Sequence, residues 1–512
     1  MAITITTPLY YVNDKPHLGS TYTTIACDVF ARFKRLQGEK VIFITGVDEH
    51  GQKIERKARD SNIEPIDHCN NISAQYQSLW HQWQITNDKF IRTTSAKHLQ
   101  LVHKFYSRVF EKGDIYLGKQ KGWYCVGCEE FKELSTLNPS KTCLIHQKPL
   151  EWRNEENLFF KLTNYQKQIE TLVEGDFILP KSRKNEVIKF VSQGLKDFSI
   201  SRLNLDWGIP VPGYDGHTFY VWFDALLGYI SALFNDSNKI DLNQLSSVGW
   251  PAYIHIIGKD ILRFHAVYWP AMLISAGIEL PKRVYGHGFL TREGQKMGKS
   301  LGNVLDPELL MAQYGSDSIR WFLLSDIKFG QDGDFQNKRF IDLLNNDLAN
   351  TVGNLINRTS SMSRKWFDNS TPIINKNDTL NNKLSISSLK TINSVISNYE
   401  NLEFKEAASE ILKLASDANL YLNDNQPWKF IKQEESKSKV AIDIYVVLDT
   451  SRIIGLLLMP IIPNVASKLL NQLGYKYTPD EWKEELNIGL LNCGMILPDP
   501  VPIYNRIESL DM

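Results

Sequence analysis

The first stretch of about 45 residues constrains the fold more than any other part of the chain. Ala2-Ile3-Thr4-Ile5-Thr6 alternates in the manner of a short strand. Pro8 and the run Asn13-Asp14-Lys15-Pro16 then break regular structure. From His17 onward Tyr22, Ile25, Ala26, Val29, Phe30 and Phe33 recur at spacings of three and four, the period of a helix with one buried face. Gly38 is its expected stop. Val41-Ile42-Phe43-Ile44 is an apolar run between Gly38 and Gly46 and reads as a buried strand of a parallel sheet. Strand, helix and strand in this order form a βαβ unit. Such sheets bind ligands outside the carboxyl ends of their strands, beside a helix N-terminus.

The remainder of the 512 residues is not more of the same. At about 150 residues per domain the chain holds three or four domains. Residues 116–150 carry a CxxC, several turn residues and little periodicity. Apolar strand signals return at 218–223 and 253–257, and 260–276 reads as a helix. From 340 to about 475 strand signal nearly vanishes. Leu343, Leu344, Leu348, Val352, Leu355 and Ile356 show the helical period there, which predicts an all-helical domain. The 58 basic and 58 acidic residues balance, which excludes a basic coat for non-specific nucleic-acid binding but not a local basic groove. The most apolar run, 453–463, contains Pro460 and Pro463 and falls short of the roughly 20 residues that span a bilayer. The N-terminus lacks the basic and apolar regions of a signal peptide. Six cysteines make no disulfide framework, so a reducing, cytoplasmic location is expected.

Two short motifs carry phosphate chemistry. Pro16-His17-Leu18-Gly19-Ser20 lies in the loop after the first strand and in the first helical turn. Free backbone N–H groups and the positive end of the helix dipole favour a phosphate chain there. Alone, the motif reads equally as a capping Ser20 and a loop histidine. Lys296-Met297-Gly298-Lys299-Ser300 places two lysines three apart in a glycine-bearing loop, within reach of phosphate or simply in solvent. A third motif stands on its spacing. Cys125-Val126-Gly127-Cys128 and Cys143-Leu144-Ile145-His146 are two knuckles of two ligands each, the pattern of a closed tetrahedral zinc site.

Taken in this order, HLGS and KMGKS resemble the two signatures of class I aminoacyl-tRNA synthetases, usually written HIGH and KMSKS. The runs TGVDEHG (45–51), YVWFDA (220–225) and IGKDILRFH (257–265) narrow the resemblance to the methionyl-tRNA synthetase family over nearly the whole chain. The resemblance implies a Rossmann-like α/β catalytic domain of parallel sheet, split by a zinc-knuckle insertion and followed by an all-α anticodon-binding bundle. The expected segments are 1–115 and 211–290 for the two catalytic halves and 116–210 for the insertion. Residues 291–340 form the KMSKS-loop and stem-contact region, and 341–512 the helical domain. Ligases for isoleucine, valine and leucine carry a much larger editing insertion, which argues for methionine.

The family's reaction joins L-methionine to ATP, with Mg²⁺ accompanying the nucleotide, and then passes methionine to tRNA(Met). By match to the family, His17, Lys299, Lys296 and Ser20 act on the phosphates. Gly19, Gly258, Asp260 and Lys299 hold ATP. Leu9, Tyr11, Asp48, Trp222, Ala225, Tyr229, Ile261 and His265 hold methionine. One structural Zn²⁺ per chain falls to Cys125, Cys128, Cys143 and His146. Asn350, Arg358 and Trp428 read the CAU anticodon, with Asn354 the other position at which a base reader aligns. Ser20 stands where the family has the last His of HIGH, and Gly298 where it has the Ser of KMSKS. The chain ends soon after residues 502–508, short of the extra C-terminal domain of some relatives, so a monomer is expected.

Overall fold

The computed structural model describes residues 2–127, 130–132, 138–144, 147–297 and 303–508, with Lys296 described by its backbone alone. The chain divides into two compact units, Met1–Pro16 with Val41–His287, and His17–Lys40 with Gly288–Met512.

The first unit is built on a six-stranded sheet in the order Lys89–Arg92, Val41–Asp48, Ile3–Tyr11, Ala252–Gly258, Val284–His287, Ile178–Leu179. Every pairing in it is parallel. Ile3–Tyr11 lies between a strand that follows it closely in sequence and one that follows some 240 residues later. That is a topological switch point, where the carboxyl ends of neighbouring strands leave a crevice. Tyr11 and Asp48 are register partners at this edge, and Gly258 ends the strand on the other side. Behind the sheet Tyr10 stacks on Tyr76, centroids 5.4 Å apart, with Trp80 edge-on at 5.9 Å. Phe105, Phe223, Trp250 and Trp269 belong to the large core of this unit.

Three local expectations are corrected. In the stretch 116–150, read as having little periodicity, the strand Ile115–Cys125 covers the beginning and pairs antiparallel with Glu151–Phe160, from Ile115↔Phe160 to Tyr124↔Glu151. Opposite charges face one another at Lys119↔Glu156, and much of the ribbon is solvated. Such strands do not show the apolar alternation by which half-buried strands are recognised. The run 218–223 is a strand only over His217–Phe219. It turns at Tyr220 into the short helix Val221–Ala225, with Asp224 N–H bonded to Tyr220 O at 3.1 Å. A short, wholly apolar run does not distinguish the two states. The helix expected over 260–276 is continuous over 259–275 but irregular. A tight turn at Lys259–Ile261 and a wide turn at Phe264–Tyr268 precede the regular helix Trp269–Ser275. Pro270 has no N–H to give to Ala266, so regular α bonding is broken there.

The second unit is helical. Its long helices are Lys383–Glu400, Phe404–Asn425, Lys437–Leu458 and Pro463–Gln472. The early helix Leu18–Leu36 belongs to this unit. Asp28 on it meets Arg320 at 2.7 Å, both fully buried, and Lys34 meets Glu400 at 2.6 Å. Phe33 packs on Tyr399 and Trp482, and Tyr22 on Phe329. Arg320 also donates to the carbonyls of Ile461 (2.6 Å) and Pro460 (3.1 Å), so one guanidinium joins the first helix to the turn before Pro463–Gln472. Residues 340–475 are helical as the periodicity predicts, with Leu344, Leu348, Val352, Leu355 and Ile356 buried. Among the described residues no helix is long and apolar enough to cross a membrane.

Asp28 also holds Arg32 at 2.8 Å, so loss of Arg320 leaves it with one of two partners. Arg320→Met should therefore destabilise the protein by less than the roughly 3–5 kcal/mol of a fully stranded buried charge, read as an earlier unfolding transition in urea. The double variant Asp28→Asn with Arg320→Met should recover part of that loss.

Candidate functional site

The residues expected to hold methionine all fall in the first unit and converge on the carboxyl edge of its sheet. Asp48, Ala225, Tyr229 and His265 are buried, and Leu9, Tyr11, Trp222 and Ile261 are half-buried. Tyr11 and Trp222 meet edge to face at 6.3 Å, and Trp222 meets His265 in the same way at 6.2 Å. Tyr229 hydroxyl lies 2.7 Å from His265 Nε2, and His265 Nδ1 lies 3.1 Å from the Ile261 carbonyl. A carbonyl only accepts, so Nδ1 carries the hydrogen of a neutral ring and Nε2 accepts from the tyrosine. Leu9 packs closely on Gly228: a Cβ there would lie 2.3 Å from Leu9 Cδ1, so the leucine would have to shift.

Sequence reasoning left three neighbours without a role. Phe264 stacks on Trp222 at 4.1 Å with an 8° tilt. His255 lies under Tyr229 at 4.5 Å and bonds Thr6 Oγ1 through Nδ1 at 2.7 Å. Burial, with His265 nearby, holds His255 well below the ordinary histidine range. Asp224 joins His50 and His98. Phe264, His50 and Asp224 all stand inside the motif runs, but nothing in their spacing announced these contacts.

The nucleotide residues are found in local groups. Gly258 leaves room for Asp260, whose Oδ1 would lie 2.6 Å from a Cβ at that position. In the second unit His17 caps the helix Leu18–Leu36, its Nδ1 accepting from Ser20 N–H at 3.3 Å. Ser20 Oγ accepts from His17 N–H at 3.1 Å and donates to His17 O at 2.7 Å. The cap is thus made by His17, with Ser20 returning the bond, where the sequence alone offered Ser20 as the cap. A side chain at Gly19 would come within 2.9 Å of the His17 ring. The short hydroxyl that departs from the usual signature holds the His17 backbone, while the Ser20 backbone N–H holds the imidazole on the first turn. Lys299 and Gly298 lie outside the described residues, and so does the side chain of Lys296.

Cys125 ends the strand Ile115–Cys125 and pairs with Glu130 across a hairpin. It is 2% exposed and shares a small core with Cys143 (3%), Leu150 and Trp123. Cys143 O accepts from Gln147 N–H at 2.7 Å, closing a tight turn. Two buried thiols brought together from opposite knuckles fit one half of a tetrahedral zinc set. The other two donors, Cys128 and His146, lie outside the described residues. Among the described residues no group of three or more His, Cys, Asp or Glu side chains is placed to hold a metal ion.

In the helical unit Arg358 lies over the Trp428 ring, 4.7 Å from its centroid, and donates to Asn423 Oδ1 at 2.9 Å. Trp428 is 38% exposed, so it is a surface aromatic and not part of the core. Asn350 is not in that pair. It reaches Asn346 and lines a cavity of about 410 Å³ with Asn354, Asn357, Asn505 and Arg506. Asn354 stands one helical turn before Arg358 on Asn354–Trp366.

A parallel sheet with ligand groups at its switch point and a capped histidine–glycine helix start define a nucleotide-using α/β enzyme, joined here to a helical domain with an exposed Arg–Trp pair. Residues 3–136 and 132–360 match the family model for tRNA synthetases class I (M), and 372–511 match the anticodon binding domain of methionyl tRNA ligase. The chain belongs to the methionyl family of class I tRNA synthetases. A methionine–tRNA ligase of a Nostoc species is 50% identical, with 99% of this chain and 97% of that protein covered. The chloroplastic/mitochondrial methionine–tRNA ligase of Arabidopsis thaliana is 47% identical over 98% and 83% of the two chains. The structure of Mycobacterium tuberculosis methionyl-tRNA synthetase in complex with methionyl-adenylate superimposes with a TM-score of 0.92 at 37% identity, over 99% of this chain and 100% of that one.

His265 supplies a pH signature. Burial, opposed by its bond to the Ile261 carbonyl, lowers its pKa from 6.5 to about 4. The unfolded chain then binds this proton near pH 6.5 and the folded chain only near pH 4. Stability from this group is complete above pH 7 and falls as pH drops from 6.5 towards 4. In histidine-labelled protein the His265 resonance should show no inflection between pH 5 and 8, and His265→Gln should flatten the acid limb of the stability profile.

Proposed function

We propose that this chain is a methionine–tRNA ligase, forming methionyl-adenylate from L-methionine and ATP and then charging tRNA(Met). The observation that carries the reading is the pocket at the sheet's carboxyl edge, where a buried carboxylate, Asp48, stands beside walls of Tyr11, Trp222, Tyr229 and a neutral His265. Asp48 suits the methionine ammonium. Aromatic walls suit a thioether, whose sulfur makes favourable contacts with rings. A neutral His265 presents no charge to an apolar side chain.

In the first step a methionine carboxylate oxygen attacks the α-phosphorus of ATP, the bond to the β-phosphate oxygen breaks, and pyrophosphate leaves. In the second a ribose hydroxyl at the 3′ end of tRNA attacks the activated carbonyl and AMP leaves. No covalent enzyme intermediate is needed, so positioning and neutralisation of phosphate charge supply the acceleration. His17, held by Gly19 and Ser20 on the first helical turn, and Lys296 and Lys299 of the KMGKS loop serve the phosphates. Gly258 and Asp260 serve the adenosine, Asp260 through the ribose hydroxyls. Mg²⁺ accompanies ATP and offsets phosphate charge. Arg358, Trp428 and Asn350 receive the unpaired anticodon bases by stacking and edge hydrogen bonds, as single-stranded RNA is generally read. Residues 116–210 are the insertion, with Cys125, Cys128, Cys143 and His146 holding one zinc ion. A closed four-ligand site has no open position and supplies structure only.

The purified protein should catalyse ATP–pyrophosphate exchange with methionine faster than with leucine or isoleucine at equal concentration. Faster exchange with either of the others would overturn the assignment. Trp428→Ala should weaken aminoacylation by about five- to 150-fold, the value of one base–aromatic stack, while exchange without tRNA stays nearly intact. Metal analysis of washed protein should return one zinc per chain. A value near zero in fully active protein would remove the knuckle.

A further inference from the structure

Asp224 sits among the pocket segments without a part in the chemistry above. It is wholly buried, and its two oxygens face two imidazoles. Oδ2 lies 2.6 Å from His50 Nδ1, and Oδ1 lies 2.5 Å from His98 Nε2. Burial alone would raise its pKa, but the two histidines, His50 foremost, bring it down to about 2, so the carboxylate is ionised at neutral pH. A carboxylate only accepts, so both facing ring nitrogens carry hydrogens. The far nitrogen of His98, Nδ1, lies 2.9 Å from Ser231 Oγ, which in turn lies 3.2 Å from the Gly228 carbonyl.

Each arm of this network ends on a different piece of the pocket. His50 is two residues beyond Asp48, at the sheet's carboxyl edge. Asp224 belongs to the helix Val221–Ala225, which carries Trp222 and Ala225. Ser231 and Gly228 are the ends of the helix Gly228–Ser231, which carries Tyr229. Gly228 is also the surface against which Leu9 packs. The strand end is held from its other side: Arg92 reaches Glu49 at 2.8 Å, Trp207 donates to the Glu49 carbonyl, and Gly51 N–H bonds Trp207 O at 3.1 Å. Apolar groups in place of the whole buried network would often cost no stability. A carboxylate adds two fixed directions at hydrogen-bond length, which hold the segments at set distances.

We infer that Asp224, acting through His50 and His98, is the positioning residue that sets the distance between Asp48 and the Trp222–Tyr229 wall, and with it the affinity for methionine. The inference rests on the methionine pocket proposed above. Its effect falls on ground-state binding of the amino acid, because the three groups bond one another among the pocket segments and none belongs to the two phosphate motifs.

The test is Asp224→Asn in methionine-dependent ATP–pyrophosphate exchange. The amide keeps the shape but offers only one acceptor, so one imidazole loses its partner. The methionine KM should rise at least about tenfold, with kcat and the ATP KM changed less than about threefold, the pattern of lost uniform binding. A purely structural role would lower the active fraction, so kcat would fall at unchanged methionine KM, and that result overturns the inference. Should Asp224→Asn not fold, His98 decides. Glutamine at 98 keeps a donor where Nε2 stands and alanine does not, so His98→Ala should raise the methionine KM and His98→Gln should largely restore it. Equal behaviour of the two also overturns the inference. Asp48→Ala is the control for the pocket itself: an unchanged methionine KM in that variant would refute the pocket reading and not the role of Asp224 alone.

Discussion

The strand Ile3–Tyr11 is hydrogen-bonded along both edges, to Val41–Asp48 on one side and to Ala252–Gly258 on the other. The first unit depends on that double pairing. It brings the ends of three distant segments to one carboxyl edge, so that Tyr11, Asp48 and Gly258 meet there. Parallel strands need long crossovers, and the crossovers deliver the remaining pocket residues. Leu9, Trp222, Tyr229 and His265 can then face one another although more than 250 residues separate the first from the last. The backbone bonds fix the edge, and side-chain packing on Gly228 and Phe264 fixes the walls.

Electrostatics are used differently in the two units. In the first, buried histidines are kept neutral by desolvation where an apolar substrate is proposed to lie, as at His265, while Asp224 stays ionised because two imidazoles face it. In the second, a buried pair, Asp28–Arg320, ties the first helix to the turn before Pro463–Gln472. The same helix begins with the His17–Ser20 cap. The helix that presents the signature histidine is therefore gripped by the helical unit through charge and aromatic contacts at Tyr22 and Phe33. Buried pairs of this kind fix geometry more than they add stability.

Most of the chemistry was legible in the sequence because it sits in short, local patterns. HLGS makes its own cap, so His17, Gly19 and Ser20 meet within one helical turn whatever the rest of the chain does. Cys125 and Cys143, one from each of the two cysteine motifs, share one small core. The helical domain followed from its period. The strand 115–125 did not, because much of its ribbon with 151–160 is solvated and its pairs mix charged, polar and aromatic residues, which leaves no apolar alternation to read. The turn at Tyr220 was hidden for another reason: a short run that is apolar nearly throughout reads the same as strand or helix, and the wide turn before Trp269 leaves no mark on the spacing.

What the sequence by itself determined is the family and the reaction class, since these rest on motifs whose members stand within a few positions of one another. What only the tertiary structure decided is how those motifs are held. The neutral tautomer of His265, the stack of Phe264 on Trp222, the pairing of Arg358 with Trp428 and the bridging of His50 and His98 by Asp224 all join residues far apart in the chain. Such contacts are set by register and by burial, and neither is a property of any local stretch of sequence.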